Sequence, residues 1–109
     1  SQSYLEIVWN NLLSNAVKFT ESGKIIVSLK KDNGQAIVKI SDTGCGISAE
    51  TGKHIFEKFY QGDASHSQEG NGLGLALVKK VIDVIGGTVS VSSEIGKGST
   101  FTVTLKQVL

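Results

Sequence analysis

Gly70-Asn71-Gly72-Leu73-Gly74-Leu75 runs directly into Ala76-Leu77-Val78-Lys79-Lys80-Val81-Ile82. Glycine at alternate positions leaves a backbone without side-chain bulk, free to take conformations that other residues avoid. The apolar residues that follow recur at helical spacing, so a helix begins where the glycines stop. The first N–H groups of a helix lack intrahelical partners and carry partial positive charge, which makes such a join a site for anions. The reading is that polyphosphate lies across Gly70–Gly74 and that the rest of the chain supplies a base pocket, a metal ligand and a cover. Alone the stretch is unspecific. Its G-x-G-x-G spacing, with no strand directly before it, is not the dinucleotide fingerprint, and no glycine-rich phosphate loop ending in G-K-[ST] occurs anywhere.

The 109 residues suffice for one domain, 1–109, with a single core that buries about 60–65% of the unfolded chain's surface. Eleven basic residues against ten acidic ones leave a net charge of +1, without the basic stripe of a nucleic-acid or membrane-surface module. A single cysteine excludes an internal disulfide and a cysteine-rich zinc site, and fits a reducing compartment. No run approaches the ~18 apolar residues of a transmembrane helix and no signal-peptide pattern opens the chain, so the composition reads as globular and cytoplasmic. The 13 glycines, with no proline, mostly gather after Asp42, at Gly70–Gly74 and at Gly86–Gly98. They mark loops shaped by their backbone rather than flexible linkers.

Upstream, Ser3 to Thr20 reads as a helix whose apolar face carries Leu5, Val8, Trp9, Leu12, Leu13, Ala16 and Phe19. Asn11, Asn15 and Lys18 form a polar row along the flank of that face. Lys24–Lys31 and Gln35–Ser41 alternate as two antiparallel strands about the turn Asp32-Asn33-Gly34. Ser48-Ala49-Glu50 opens a short helix through Ile55 and Phe56. The polar stretch from Lys58 to Glu69 is long for a loop in a compact domain and reads as a lid or as disordered chain. The helix after Gly74 stops at Gly86-Gly87, and Thr88–Ser93 and Thr100–Lys106 form a second hairpin around Gly96-Lys97-Gly98. The order α, β-hairpin, loop, α, β-hairpin gives an α/β (α+β) two-layer sandwich. Its sheet is expected to be mixed and mostly antiparallel, with about three helices on one face.

Two groups could carry chemistry. The Asn11/Asn15/Lys18 row either lines a cleft or is a solvated flank. Asp42, at a strand end beside Gly44 and Gly46, either accepts hydrogen bonds from an exocyclic amine or merely starts a turn. Neither is specific alone. In chain order, however, the sequence carries Asn11-Leu12-Leu13-Ser14-Asn15-Ala16-Val17-Lys18-Phe19, Asp42-Thr43-Gly44-Cys45-Gly46, Ile55-Phe56-Glu57-Lys58-Phe59-Tyr60, Gly70–Leu75 and Gly96-Lys97-Gly98-Ser99-Thr100-Phe101.

This ordered set resembles the N, G1, F, G2 and G3 boxes of the catalytic, ATP-binding domain of bacterial sensor histidine kinases, over nearly the whole chain. The resemblance implies the Bergerat fold shared with gyrase-type topoisomerases, a heat-shock chaperone family and MutL-type repair proteins. It implies ATP and Mg²⁺ as cofactors. Asn15 would hold Mg²⁺, a hard ion suited to an amide oxygen. Asn11 would support the same region and Lys18 would offer a point charge to phosphate. Phe19 would pack on the adenine, whose amine Asp42 would meet, with Gly44, Gly46 and Ile47 shaping the pocket. Gly70, Gly72, Leu73, Gly74 and Leu75 would meet phosphate through backbone N–H groups, and Thr100 would reach the adenine, through water. Lys58–Glu69 would be the ATP lid.

Fold members that hydrolyse ATP carry Glu at the position of Asn11, where an amide cannot act as a base toward water. The implied reaction is therefore phosphoryl transfer to a His on a separate dimerising domain, then to a response-regulator Asp. The acceptor pattern, a His followed by an acidic residue, is met neither by His54-Ile55 nor by His66-Ser67. His54 reads as a helix-surface residue and His66 as part of the lid. Lys58 and Gln61 stand where relatives often have other residues, and Cys45 reads as a bland side chain. The strand usual before the first helix is missing, so the chain resembles a trimmed, monomeric part of a homodimeric parent that a membrane can anchor. A non-catalytic nucleotide-binding module and an anti-sigma-type serine kinase share the same fold. Asn11 speaks against the latter, whose members tend to carry Glu there.

Overall fold

A computed structural model of the chain describes residues 2–57 and 74–106. The lid, Gly70, Gly72, Leu73, Lys58, Gln61 and His66 lie outside the described residues. The element order is α1 (Gln2–Phe19), β1 (Ile25–Asp32), β2 (Gln35–Asp42), α2 (Ala49–His54), α3 (Gly74–Ile85), β3 (Thr88–Glu94) and β4 (Gly98–Lys106).

The four described strands form one sheet in the order β1-β2-β4-β3. Each hairpin is set by its turn. Asn33 and Gly34 both have positive φ (51° and 78°), the left-handed pair of a two-residue turn whose twist matches the strands it joins. Every described pairing is antiparallel, in line with the mostly antiparallel sheet expected. The two hairpins meet through β2 and β4, and the crossover from β2 to β3 joins strands that are not neighbours. No described βαβ unit is present to impose a parallel pair.

α1 and α3 pack on each other and cover β2 and β3 respectively, while α2 lies against β3. The core between the layers joins Val8, Leu12 and Ala16 of α1 with Val78, Val81 and Ile82 of α3 and with Ile40, Phe101 and Val103 of the sheet. The first helix follows its expected period with one correction. Leu13 is 37% exposed, because one step of about 100° beyond the buried Leu12 carries it past the margin of the core. Ile7 packs against the core from the other flank. β1 contributes less than its alternation promised. It lies at the sheet edge, Val27 and Leu29 are 56% and 70% exposed, and only Ile25 packs inward.

The helix ends follow local chemistry. Ser48 caps α2 by accepting from the Thr51 N–H at 3.1 Å, but the helix stops at His54, before Ile55 and Phe56. Phe56 instead sets its ring edge-on to Phe101, with centroids 6.1 Å apart. α3 ends with Gly86 at φ +83°. The Gly87 N–H donates to the Ile82 carbonyl (2.9 Å) and the Gly86 N–H to the Asp83 carbonyl (3.3 Å), the paired bonds of a Schellman stop.

Leu12 has no exposed margin and Val17 is 65% exposed, so truncating each to alanine should separate core from surface. Leu12→Ala is expected to lower the unfolding free energy by about 2–5 kcal/mol. Val17→Ala should change it by less than about 0.5 kcal/mol. Urea titration of the two variants beside the parent chain reads both.

Candidate functional site

A cavity of about 410 Å³ opens where α1, the loop after β2, α2, the start of α3 and the β3–β4 turn converge. Asn15, Ala16 and Phe19 form the α1 wall, and Asp42, Cys45, Gly46 and Ile47 come from the end of β2 and its loop. Ser48, Thr51 and Ile55 close one side, Leu75 stands at the start of α3, and Ile95, Ser99 and Phe101 complete the floor.

The loop after β2 is built from its own backbone. One Asp42 carboxylate oxygen accepts from the Gly44 N–H at 2.9 Å, which folds the chain back on itself. The Cys45 N–H then donates to the Phe19 carbonyl at 3.3 Å, and the Cys45 carbonyl accepts from the Gly96 N–H at 2.8 Å. A Cβ at position 44 would run into the Phe19 carbonyl oxygen, so only glycine lets the loop close against the end of α1.

The pairing register fixes what stands beside that carboxylate. Asp42 lies opposite Ser99 on β4, and Ser99 in turn lies opposite Ser93 on β3. Ser99 is 7% exposed and its hydroxyl lies 2.7 Å from that of Ser93. The Thr100 expectation needs correcting. Its hydroxyl meets Ser41 at 3.0 Å on the opposite face of the sheet, because adjacent residues of a strand point to opposite sides. Ser99, one residue earlier, is the G3-box hydroxyl that reaches the cavity.

The other expected residues divide. Phe19, Asp42, Gly46, Ile47, Leu75 and Asn15 line the cavity together. Gly44 shapes the loop behind it. Asn11 sits behind Asn15 at the α1–α3 seam. Its Nδ2 donates to the Ile7 carbonyl at 2.7 Å, and its Oδ1 is 2.9 Å from where a Cβ of Gly74 would stand, facing the first turn of α3. Lys18 is not a lining residue; its ammonium rests 5.3 Å from the centroid of the Phe19 ring. The sequence reading passed over Ile55, Thr51, Ile95, Ser99 and Phe101 as site residues. Ser99 and Phe101 lie within the G3 box, but only a known register could have assigned them to the cavity.

A family profile described as histidine kinase-, DNA gyrase B- and HSP90-like ATPase matches residues 1–109. The chain belongs to this ATPase family. Among its relatives, the circadian input-output histidine kinase CikA of Synechococcus elongatus is 46% identical over 96 residues, covering 85% of this chain and 13% of CikA. Sensor histidine kinase RcsC of Escherichia coli K12 is 42% identical over 101 residues, covering 91% of this chain and 11% of RcsC. The chain thus spans about an eighth of such relatives. The solved mycobacterial sensor histidine kinase MprB superposes with a TM-score of 0.89 at 31% identity, over 100% of this chain and 76% of that one. Full-length ShkA in complex with AMPPNP superposes with a TM-score of 0.82 at 31% identity, over 96% and 22%.

The residues present in this ATPase-family domain fit a nucleotide with a divalent ion. The Asp42 carboxylate and the Asn15 amide both line the cavity. Among the described residues there is no cluster of three or more His, Cys, Asp or Glu able to cage a metal. An ion there would share Asn15 with phosphate and water, as Mg²⁺ commonly does. Among the described residues no helix is long and apolar enough to cross a membrane.

On α2, beside the cavity, both His54 ring nitrogens face carboxylates, Glu57 at 2.7 Å and Glu50 at 3.2 Å. The Glu57 hydrogen bond, outweighing desolvation and aided by Glu50, raises the His54 pKa above its ordinary 6.5. The contribution of these pairs to stability is fully present below the unfolded value and fades as pH rises through the raised folded one. A proton NMR titration of the His54 ring should show a midpoint above 6.5 that falls in Glu57→Gln.

Proposed function

We propose that this domain binds ATP with Mg²⁺ and donates the γ-phosphoryl group to a histidine on a separate helical dimerisation domain, as part of a two-component sensor kinase. The observation that carries the reading is that Asn15 and Asp42, from the first two motifs of the series, line one cavity together with Leu75 and Ser99 from the last two. Asp42 supplies an acceptor for an exocyclic amine, Phe19 and the Ile47–Ile55 wall supply apolar faces for a base, and Asn15 marks the phosphate end. The first N–H groups of α3, which have no partner within the helix, would receive phosphate oxygens together with Gly70, Gly72 and Leu73.

Catalysis on this reading is positioning and charge neutralisation. Bound Mg²⁺ would neutralise phosphate charge beside Asn15. Asn11 carries no basic carboxylate, so water near the γ-phosphate stays unactivated and the phosphoryl group is kept for a nitrogen nucleophile. Lys18, at the rim over Phe19, can swing its charge toward a phosphate. The similarity to sensor kinases and the AMPPNP complex of ShkA support this assignment. His54 is held by two carboxylates on the surface of α2 and does not serve as the acceptor. The phosphoryl group would later pass to a response-regulator aspartate, with the domain a monomeric cytoplasmic unit of a homodimeric parent.

Calorimetric titration with ATP should show binding that strengthens with Mg²⁺. Asn15→Ala is expected to weaken the Mg²⁺-dependent binding by about tenfold and Asp42→Asn to weaken ATP binding by at least as much, each about 1.4 kcal/mol. ATP·Mg²⁺ should also slow alkylation of Cys45, the sole cysteine, because it lines the same cavity. With the helical domain and labelled ATP, an acid-labile, base-stable phosphohistidine is expected. Binding without transfer would make this a non-catalytic nucleotide module, and no binding at all would overturn the reading.

A further inference from the structure

Behind the floor of the cavity, Ser93 saturates its hydroxyl with protein partners. It donates to the Gly98 carbonyl at 2.9 Å, accepts from the Ile47 N–H at 2.7 Å, and meets Ser99 Oγ at 2.7 Å. A serine hydroxyl has one proton and two lone pairs. The Gly98 carbonyl can only accept and the Ile47 N–H can only donate. All three contacts are therefore satisfied in just one way, with Ser99 donating its proton to Ser93. Ser99 then has no proton left for the cavity and presents lone pairs alone.

Asp42, its cross-strand neighbour, is a carboxylate with one oxygen taken by the Gly44 N–H. The row Asp42–Ser99–Ser93 across β2, β4 and β3 thus offers the cavity hydrogen-bond acceptors and no donor of its own. Ser93 does not line the cavity and acts through Ser99.

We propose that Ser93 is a specificity-setting positioning residue: by consuming the Ser99 proton it selects a base with an amino group at this edge and rejects one with an oxo group. The proposal rests on the ATP reading above. A 6-amino purine donates toward Asp42, and a water donating to Ser99 keeps its second proton for the bare ring nitrogen. A 6-oxo purine turns an acceptor toward the Asp42 carboxylate, and neither Asp42 nor Ser99 has a proton with which to answer it. Without Ser93, the Ser99 hydroxyl is free to rotate and donate, and the discrimination weakens.

The test measures the affinities of the domain for ATP and for inosine 5′-triphosphate, which differ only at the 6-position and the adjacent ring nitrogen. Ser93→Ala, and Ser93→Cys as a near-isosteric variant with a much weaker acceptor, should narrow the ATP preference by about fivefold. In a Ser99→Ala background the same changes at Ser93 should have no further effect on the ratio. An unchanged ratio in both single variants overturns the proposal, and so does narrowing that persists without the Ser99 hydroxyl. Failure of the parent domain to bind ATP is a separate result that removes the nucleotide reading itself. A purely structural role for Ser93 would lower both affinities together and leave the ratio in place.

Discussion

The register between β2 and β4 places both the core and the site. Ile40 stands opposite Phe101, and Asp42 opposite Ser99. Side chains alternate across a strand, so all four project to the helix-covered face. A slip of β4 by one residue would turn Phe101 and Val103 outward and bring Thr100 to the cavity in place of Ser99. Each buried apolar side chain contributes about 1.5–3 kcal/mol relative to exposure, so the core strongly opposes that slip. The polar end of the same strands is carried along. Asp42 and Ser99 need no separate device to meet, because the residues that pack the core have already aligned them.

The loop after β2 depends on this alignment as well. A backbone tether to the β3–β4 turn is made where Gly96 reaches Cys45, and one to α1 where Cys45 reaches Phe19. One residue therefore joins the first helix to the last hairpin across the mouth of the cavity. Ile47, two residues further on, is pinned from below by Ser93. The wall that would face a base is thus held by main-chain groups on three sides, while α2 beyond it is a six-residue helix with no buried residue. Rigidity falls along the wall from Asp42 to α2, which leaves the α2 side as the part able to adjust when a ligand enters.

The elements that repeat over many residues were legible. The period of α1, the Asn33-Gly34 hairpin and the double-glycine stop of α3 all follow from local chemistry, and the five ordered motifs identified the family before any coordinates. What sequence left open was decided by pairing. Thr100 and Ser99 are adjacent hydroxyls in one box, and nothing in a single strand says which will face inward until its partner is known. Leu13 failed for a related reason: the apolar residues of α1 span a wider arc than the neighbouring layers can cover. Val27 and Leu29 alternate as core residues do, yet β1 is an edge and the covering helix lies over β2.

Asn11 shows how packing and chemistry meet at one position. Its side-chain nitrogen donates to the Ile7 carbonyl one turn earlier, which aims the amide oxygen at the start of α3. A carboxylate could not make that bond, since it would set one acceptor against another, and it would have to leave this rotamer to escape the repulsion. The amide thus does two things that cannot be separated. It fixes its own oxygen toward the first turn of α3 through a bond within α1, and on the nucleotide reading it would withhold the base that hydrolysis requires. A glutamate placed here to activate water would give up the Ile7 bond, so keeping that bond and gaining a base are alternatives set by a single side chain.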